Sequence, residues 1–141
     1  YASSLERHLP QVRATEPVLS LDEKVMKGML TGGRNEALTV DMDDAVESLK
    51  SHEPFVIDVR EFDSYAEAHI PGAKRAPIAE IEDYAPDFPP ERDTQIITVC
   101  DRGNLSLYGV LYLTSLGYTN VKSLNGGTME WIDRGLPVET V

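Results

Sequence analysis

Cys100 is the only cysteine in the 141-residue chain, and its position favours chemistry over simple packing. It directly follows the apolar run IITV at residues 96–99, and the loop DRGNL at residues 101–105 leads from it into a helical pattern. Ligands of open parallel α/β sheets bind beyond the carboxyl ends of the strands, where this thiol would lie. The alternative is that Cys100 is a small buried apolar side chain, as free cysteines often are.

The loop after Cys100 has the composition of an anion-binding turn. Gly103 permits close backbone approach or a positive φ, and Asn104 tolerates the left-handed conformation better than most residues. Successive N–H groups at a helix start attract negative charge, so they would stabilise a thiolate, a persulfide or an oxyanion substrate. Arg102 should favour the thiolate and attract an anion, whereas Asp101 should oppose both.

Other reaction classes fit the residues less well. Cysteine phosphatases and arsenate reductases place an arginine six residues after the cysteine to bind phosphate oxygens, and that position is Ser106 here. The chain has no G-x-S-x-G motif for a serine hydrolase. His8, His52, His69 and Cys100 do not have the spacing of metal ligands, so no metal is predicted.

Composition limits the partners. The net charge of −11 argues against nucleic acid, because phosphate would be repelled over most of the surface. No run approaches the roughly 18 apolar residues that a membrane-spanning helix needs. We predict a cytoplasmic protein; a periplasmic or secreted one stays open if a signal peptide has been removed.

The elements that must position Cys100 alternate between strands and helices. FVIDV (residues 55–59) and IITV are apolar runs typical of buried strands in a parallel sheet, and LTV, KRAPI and VKSL are shorter candidates. Helical patterns follow Asp41, cover Tyr65 to His69 and Leu105 to Leu116, and end before Gly135. This alternation predicts a parallel α/β sheet with right-handed crossovers. Residues 80–93, with six acids and three prolines, are predicted to be a solvated loop.

Two parts of the chain are expected. Residues 1–37 are predicted to be an N-terminal extension, an arm followed by one helix at about residues 20–31. Residues 38–141 contain the strand–helix alternation without an internal break, and they are predicted to form one domain.

Three segments of the chain resemble rhodanese-like domains. FVIDVREFDSYAEAHIPGAKRAPI (residues 55–78) is similar to the first signature of that family, VCDRGNLS (residues 99–106) to its active-site loop, and LNGGTMEWIDRGLPV (residues 124–138) to its C-terminal signature. The three segments occur in family order. The resemblance implies a five-stranded parallel sheet flanked by helices on both faces, and sulfurtransferase activity.

The resemblance also assigns roles to residues. It implies that Cys100 is the nucleophile and persulfide carrier, and that the loop amides surround its sulfur, namely those of Asp101, Arg102, Gly103, Asn104, Leu105 and Ser106. Asp58 and Arg60 are interpreted as a supporting ion pair, and His69 as a hydrogen-bonding partner of the IPGA turn (residues 70–73). Leu105 and Ala68 depart from the family pattern, where arginine and glycine respectively are frequent.

The implied reaction moves a sulfane sulfur through a Cys100 persulfide. The donor would be thiosulfate or a persulfide, and the acceptor a thiol or cyanide, with a thiol protein as a further candidate partner. No cofactor is expected beyond the covalent persulfide. The alternative is a non-catalytic module that carries a persulfide or docks a partner. It is motivated by Leu105 in place of the frequent arginine, by the acidic Asp101 next to the cysteine, and by the acidic residues 80–93.

Overall fold

The computed structural model describes residues 38–141, so the arm and the helix predicted at residues 20–31 lie outside the described residues. Strands and helices alternate along this part of the chain, as predicted. They are β1 (Thr39–Val40), α1 (Met42–Ser51), β2 (Phe55–Asp58), α2 (Phe62–Glu67), β3 (Lys74–Arg75), α3 (Ile81–Tyr84), β4 (Ile96–Val99), α4 (Leu105–Ser115), β5 (Val121–Leu124) and α5 (Gly127–Asp133).

The strands form one five-stranded parallel sheet in the order β1-β5-β4-β2-β3. This confirms the predicted fold class. β4 is the central strand, with Thr98 opposite Ser123 of β5 and Val99 opposite Asp58 of β2. Cys100 therefore leaves the sheet at the middle of its carboxyl edge, between the residues that follow β2 and those that follow β5.

Each face of the sheet packs against helices, because successive strand side chains point to opposite faces. On one face, Ile57 and Ile96 pack with residues of α4, including Leu113. On the other face, Val56 and Ile97 belong to a second cluster with Met42 of α1 and Trp131 of α5. Burial stabilises the fold by about 1.5–3 kcal/mol for each large apolar side chain. The predicted helices on both faces are confirmed.

The prediction of a solvated loop at residues 80–93 is wrong. α3 lies there, between two short 3₁₀ turns at Ile78–Glu80 and Ala85–Asp87. Ile81 and Phe88 are buried in the α4-side cluster, and the Phe88 ring packs edge-on against Phe55 with the ring centroids 6.2 Å apart. The apolar residues recur at helical spacing, but the surrounding acids and prolines obscure that pattern.

Other element bounds shift by a few residues. α2 begins at Phe62 rather than at Tyr65, and His69 instead forms an isolated antiparallel bridge with Glu139 near the end of the chain. Within residues 38–141, no helix combines the length and the apolar character that crossing a membrane requires.

Candidate active site

Cys100 is buried, but its sulfur has polar neighbours. The residue is 3% exposed and packs against the α4-side core. Its Sγ accepts a hydrogen bond from the Gly103 N–H at 3.1 Å and lies 3.4 Å from the Ser106 hydroxyl oxygen. Of the six loop amides expected around the sulfur, Gly103 is the one for which the structure shows a hydrogen bond to it. The thiol thus combines the burial of a core side chain with a polar environment at the sulfur.

The segment from Cys100 to Asn104, here called the cysteine loop, depends on glycine for its shape. Gly103 has a φ of 107°, and a Cβ atom there would lie 3.2 Å from the Leu124 carbonyl oxygen. Asn104 was expected to tolerate the left-handed region, but it has a right-handed backbone with a φ of −83° and precedes the first residue of α4. The positive φ therefore falls on Gly103 alone in this loop.

A second segment, residues 125–127, supports the cysteine loop from the β5 side and is here called the glycine turn. Gly126 and Gly127 both have positive φ, 84° and 60°. A Cβ atom on Gly127 would lie 2.5 Å from the Asp101 carbonyl oxygen. Immediately after the turn, the Thr128 N–H donates to the Cys100 carbonyl at 2.9 Å, and the Met129 N–H donates to the Asp101 carbonyl at 3.0 Å.

Arg60 supports the loop from the β2 side. Its guanidinium forms hydrogen bonds with both carboxylate oxygens of Asp58, with the Asp101 carboxylate at 3.2 Å and with the Ala68 carbonyl at 2.7 Å. Burial alone would lower the pKa of Arg60, but Asp58 and then Asp101 raise it above its ordinary value. The guanidinium is therefore cationic, and it is shared between two carboxylates.

His69 lies on the far side of this network and contacts α2 rather than the sulfur. Its Nδ1–H donates to the Tyr65 carbonyl at 2.7 Å, and the two rings stack with centroids 3.8 Å apart. The imidazole does not bond the IPGA turn directly. The link runs through Glu139, whose carboxylate lies 3.6 Å from His69 Nε2 and accepts the Gly72 N–H at 3.1 Å.

The remaining loop side chains are exposed. Leu105 is 46% exposed at the start of α4, and Arg102 forms no ion pair with any residue between 38 and 141. Asp101 is also exposed, although its charge is paired with Arg60. In the same range, no three His, Cys, Asp or Glu side chains converge as a metal site.

Two hydroxyl groups behind the sulfur were missed from the sequence. Ser106 Oγ lies 2.6 Å from Ser123 Oγ, and the Ser123 hydroxyl in turn lies 3.4 Å from the Gly103 carbonyl oxygen. Both serines are fully buried. The available signal was the strand VKSL, where Lys122 points outward and a serine occupies an inward position otherwise suited to an apolar residue.

Comparison with known proteins agrees with this geometry. The family model of the rhodanese-like domain matches residues 41–134. A thiosulfate sulfurtransferase GlpE of Pseudomonas fluorescens is 34% identical over 87 residues, which cover 60% of this chain and 76% of that protein. An adenylyltransferase and sulfurtransferase uba4 of Ogataea parapolymorpha is 30% identical over 98 residues, 67% of this chain but 25% of that protein.

Solved structures give the same result. A rhodanese-related protein from Thermoplasma volcanium is 31% identical, with a TM-score of 0.63 over 72% of this chain and 96% of that one. A thiosulfate sulfurtransferase from Pseudomonas aeruginosa shares the fold at 24% identity, with a TM-score of 0.68 over 87% of this chain and 23% of that one. The family model covers most of the chain and includes Cys100, the cysteine loop, the glycine turn, Asp58 and Arg60, and the chain therefore belongs to the rhodanese-like domain family.

Proposed function

We propose that this protein is a sulfurtransferase that carries a sulfane sulfur as a persulfide on Cys100. The observation that carries the proposal is the Gly103 N–H directed at Sγ at the carboxyl edge of the central strand. A backbone amide donor stabilises negative charge on sulfur, which the attacking thiolate needs. Membership of a family that includes sulfurtransferase relatives supports the same activity.

The reaction consists of two displacements at sulfur. In the first, the Cys100 thiolate attacks the outer sulfur of the donor, a new S–S bond forms, and the donor fragment leaves with the electron pair of the broken bond. Thiosulfate would release sulfite, and an organic persulfide would release a thiolate. In the second, the acceptor attacks the terminal sulfur and the Cys100 thiolate leaves. Neither step requires an external oxidant, a metal or an organic cofactor.

Residues 38–141 provide no separate general base for this chemistry. His69 donates to the Tyr65 carbonyl and stacks on the Tyr65 ring, so it is engaged away from the sulfur. A thiolate that is already ionised attacks without proton transfer to a base. We therefore assign Asp58, Arg60 and His69 to support of the cysteine loop.

The charges at the loop favour an organic persulfide over thiosulfate as donor. Arg60 is shared between two carboxylates, and the exposed start of α4 carries the apolar Leu105. Arg102 has no carboxylate partner among residues 38–141, so it is the loop cation that remains available to attract a dianion. We expect both donors to load Cys100, thiosulfate less efficiently, and a thiol or cyanide to unload it. Cys100 must remain reduced, which supports the cytoplasm as the site of action.

Mass spectrometry of the intact protein tests the proposal. After exposure to thiosulfate or to glutathione persulfide, we expect one added sulfur per chain, which cyanide or a thiol then removes. The Cys100→Ser variant is the matched control and should gain none. Equal sulfur on both proteins, or none on the wild type with either donor, would refute the proposal.

A second candidate function is a persulfide-carrying or docking module without turnover. It is supported by the deep burial of Cys100 and by the exposed Leu105 beside it in the chain. Steady-state assays with both donors and with thiol or cyanide acceptors separate the two. Stoichiometric loading without repeated turnover would favour the module.

A further inference from the structure

A chain of hydroxyl groups leads from the candidate nucleophile into the protein interior and back to its own loop. The successive distances are 3.4 Å from Cys100 Sγ to Ser106 Oγ, 2.6 Å from Ser106 Oγ to Ser123 Oγ, and 3.4 Å from Ser123 Oγ to the Gly103 carbonyl oxygen. Ser106 and Ser123, here called the serine pair, are both 0% exposed. Bulk water therefore does not serve these hydroxyls, and their protons must be placed within the chain.

The proton arrangement depends on the state of the sulfur, because each hydroxyl has a single proton. When Cys100 is a thiol, its S–H donates to Ser106 Oγ, the Ser106 hydroxyl donates to Ser123 Oγ, and the Ser123 hydroxyl donates to the Gly103 carbonyl. Every proton in the chain then has an acceptor. Sγ also accepts the Gly103 N–H.

When Cys100 is a thiolate, the arrangement reverses. The sulfur has no proton and needs donors, so the Ser106 hydroxyl turns toward Sγ and the Ser123 hydroxyl turns toward Ser106 Oγ. The thiolate then accepts two hydrogen bonds, from the Gly103 N–H and from Ser106. Each change is a rotation about a C–O bond, so no heavy atom has to move.

We propose that the serine pair is a reversible hydrogen-bond relay that stabilises the thiolate of Cys100. Ser106 contacts the reacting sulfur atom. Ser123 is a positioning residue that acts through Ser106, because its hydroxyl donates a hydrogen bond to Ser106 Oγ. In sulfur transfer, the relay would act on the attacking thiolate and again on the departing one. That role rests on the proposed function, but the hydrogen-bond chain itself does not depend on turnover.

Alkylation of Cys100 by iodoacetamide tests the relay without any sulfur donor. At about pH 7, we expect Ser106→Ala to slow alkylation about tenfold, because a hydrogen bond to a charged group is lost. Ser123→Ala should slow it about threefold, because Ser106 still donates but with less support. At about pH 10, above the ordinary range of thiol ionisation, the deficit should disappear in both variants, because high pH favours thiolate without help from the relay.

Two further variants separate the relay from a packing effect. Ser115→Ala removes a hydroxyl at the other end of α4, where it donates to the Tyr112 carbonyl, and it should alter neither rate. Ser123→Thr keeps the hydroxyl and should restore alkylation toward the wild-type rate at about pH 7. The charged groups are the same in all four variants, namely Asp58, Arg60, Asp101 and Arg102 at the cysteine loop and Glu130 at the glycine turn.

The outcomes are distinguishable from those of the function test. If the Ser123→Ala variant is alkylated at the wild-type rate at about pH 7, the relay proposal is wrong. It is also wrong if the variant is slower by the same factor at both pH values, since that would indicate altered access or packing. If the alkylation pattern holds while the wild-type protein takes up no sulfur from either donor, the relay stands and the proposed function fails.

Discussion

The cysteine loop and the glycine turn leave neighbouring parallel strands at the same edge of the sheet, yet they use their backbone groups in opposite ways. The cysteine loop directs the Gly103 N–H inward to Sγ and leaves the carbonyls of Cys100 and Asp101 directed at the glycine turn. The glycine turn has no reactive side chain, and the residues that follow it donate to those two carbonyls. One segment presents the sulfur, and the other fixes the backbone that presents it.

This difference indicates that the cysteine loop does not set its own conformation. Its five residues are connected to the β5 side by backbone hydrogen bonds and to the β2 side by the Arg60–Asp101 ion pair. Strand β4 lies between both supports. Removing either support should therefore affect stability and sulfur loading together, with the larger effect where the support is a buried charge.

The largest effect is expected from Arg60→Met, which removes the β2-side support. The substitution leaves the carboxylate of Asp58, which is 1% exposed, without its cationic partner. Breaking a buried pair in this way typically lowers the free energy of unfolding by about 3–5 kcal/mol. Urea unfolding followed by circular dichroism measures the change.

Arg134→Met provides the control for that prediction. Arg134 also pairs with two carboxylates, those of Asp43 and Glu130, but it is exposed, so its loss should change stability little. Similar losses in the two variants would contradict the view that Arg60 is a buried structural support.

A somewhat smaller loss is expected from Gly127→Ala in the glycine turn. The new Cβ would lie 2.5 Å from the Asp101 carbonyl oxygen, and the residue has a φ of 60°. The displaced backbone and the left-handed strain together should cost about 2–4 kcal/mol of unfolding free energy. Sulfur loading should fall as well, since the Cys100 carbonyl loses its fixed partner.

Gly72→Ala separates strain from the close contact. Gly72 has a φ of 83° but no atom within 4 Å of the added Cβ, so about 1 kcal/mol from backbone strain alone is expected. If thermal or urea unfolding gives equal losses for the two glycines, contact between the two segments is not what requires Gly127.

Leu105→Arg tests the chemical side of the comparison, at the first residue after the cysteine loop. A cation at this exposed position should raise the rate of loading from thiosulfate about tenfold, because it attracts the dianion. The rate of loading from a monoanionic persulfide should rise less. The gain should shrink as salt is added, because exposed charges are screened. Leu105→Met is the neutral control and should match the wild type; a salt-independent gain would contradict the electrostatic explanation.

The sequence predicts those parts of the molecule that rest on local patterns. The apolar runs at residues 55–59 and 96–99 predict two central strands. Cys100 directly follows the second run and precedes a glycine-containing loop, which predicts that the thiol lies at the carboxyl edge of the sheet. Contacts between distant residues are not visible in such patterns. From the sequence, the Asp101 charge is expected only to oppose a thiolate, because its partner Arg60 lies 41 positions away. Ser106 and Ser123, which meet in the fold, are 17 positions apart.

The errors have the same physical origin. At residues 80–93, the count of acids and prolines concealed two buried side chains, Ile81 and Phe88, because composition does not record which face a residue occupies. The sequence predicts a direct hydrogen bond from His69 to the adjacent turn, whereas Glu139, 70 positions later, links the two. Tertiary contacts decide both cases, and no local pattern contains them.

The smallest effect is expected at Thr128, just after the glycine turn. Thr128 Oγ1 is buried without a hydrogen-bond partner among residues 38–141, whereas the Thr98 hydroxyl, equally buried on β4, donates to the Ser106 carbonyl at 2.8 Å. Thr128→Val should therefore change the free energy of unfolding by less than about 1 kcal/mol, or stabilise the protein, since an unpaired polar group is removed. Thr98→Val should cost about 0.5–1.5 kcal/mol, because it removes a buried hydrogen bond that the Thr98 hydroxyl makes. Urea unfolding of the two variants compares them directly. Equal losses would mean that the Thr128 hydroxyl has a partner, and that the glycine turn contributes more than backbone hydrogen bonds to the cysteine loop.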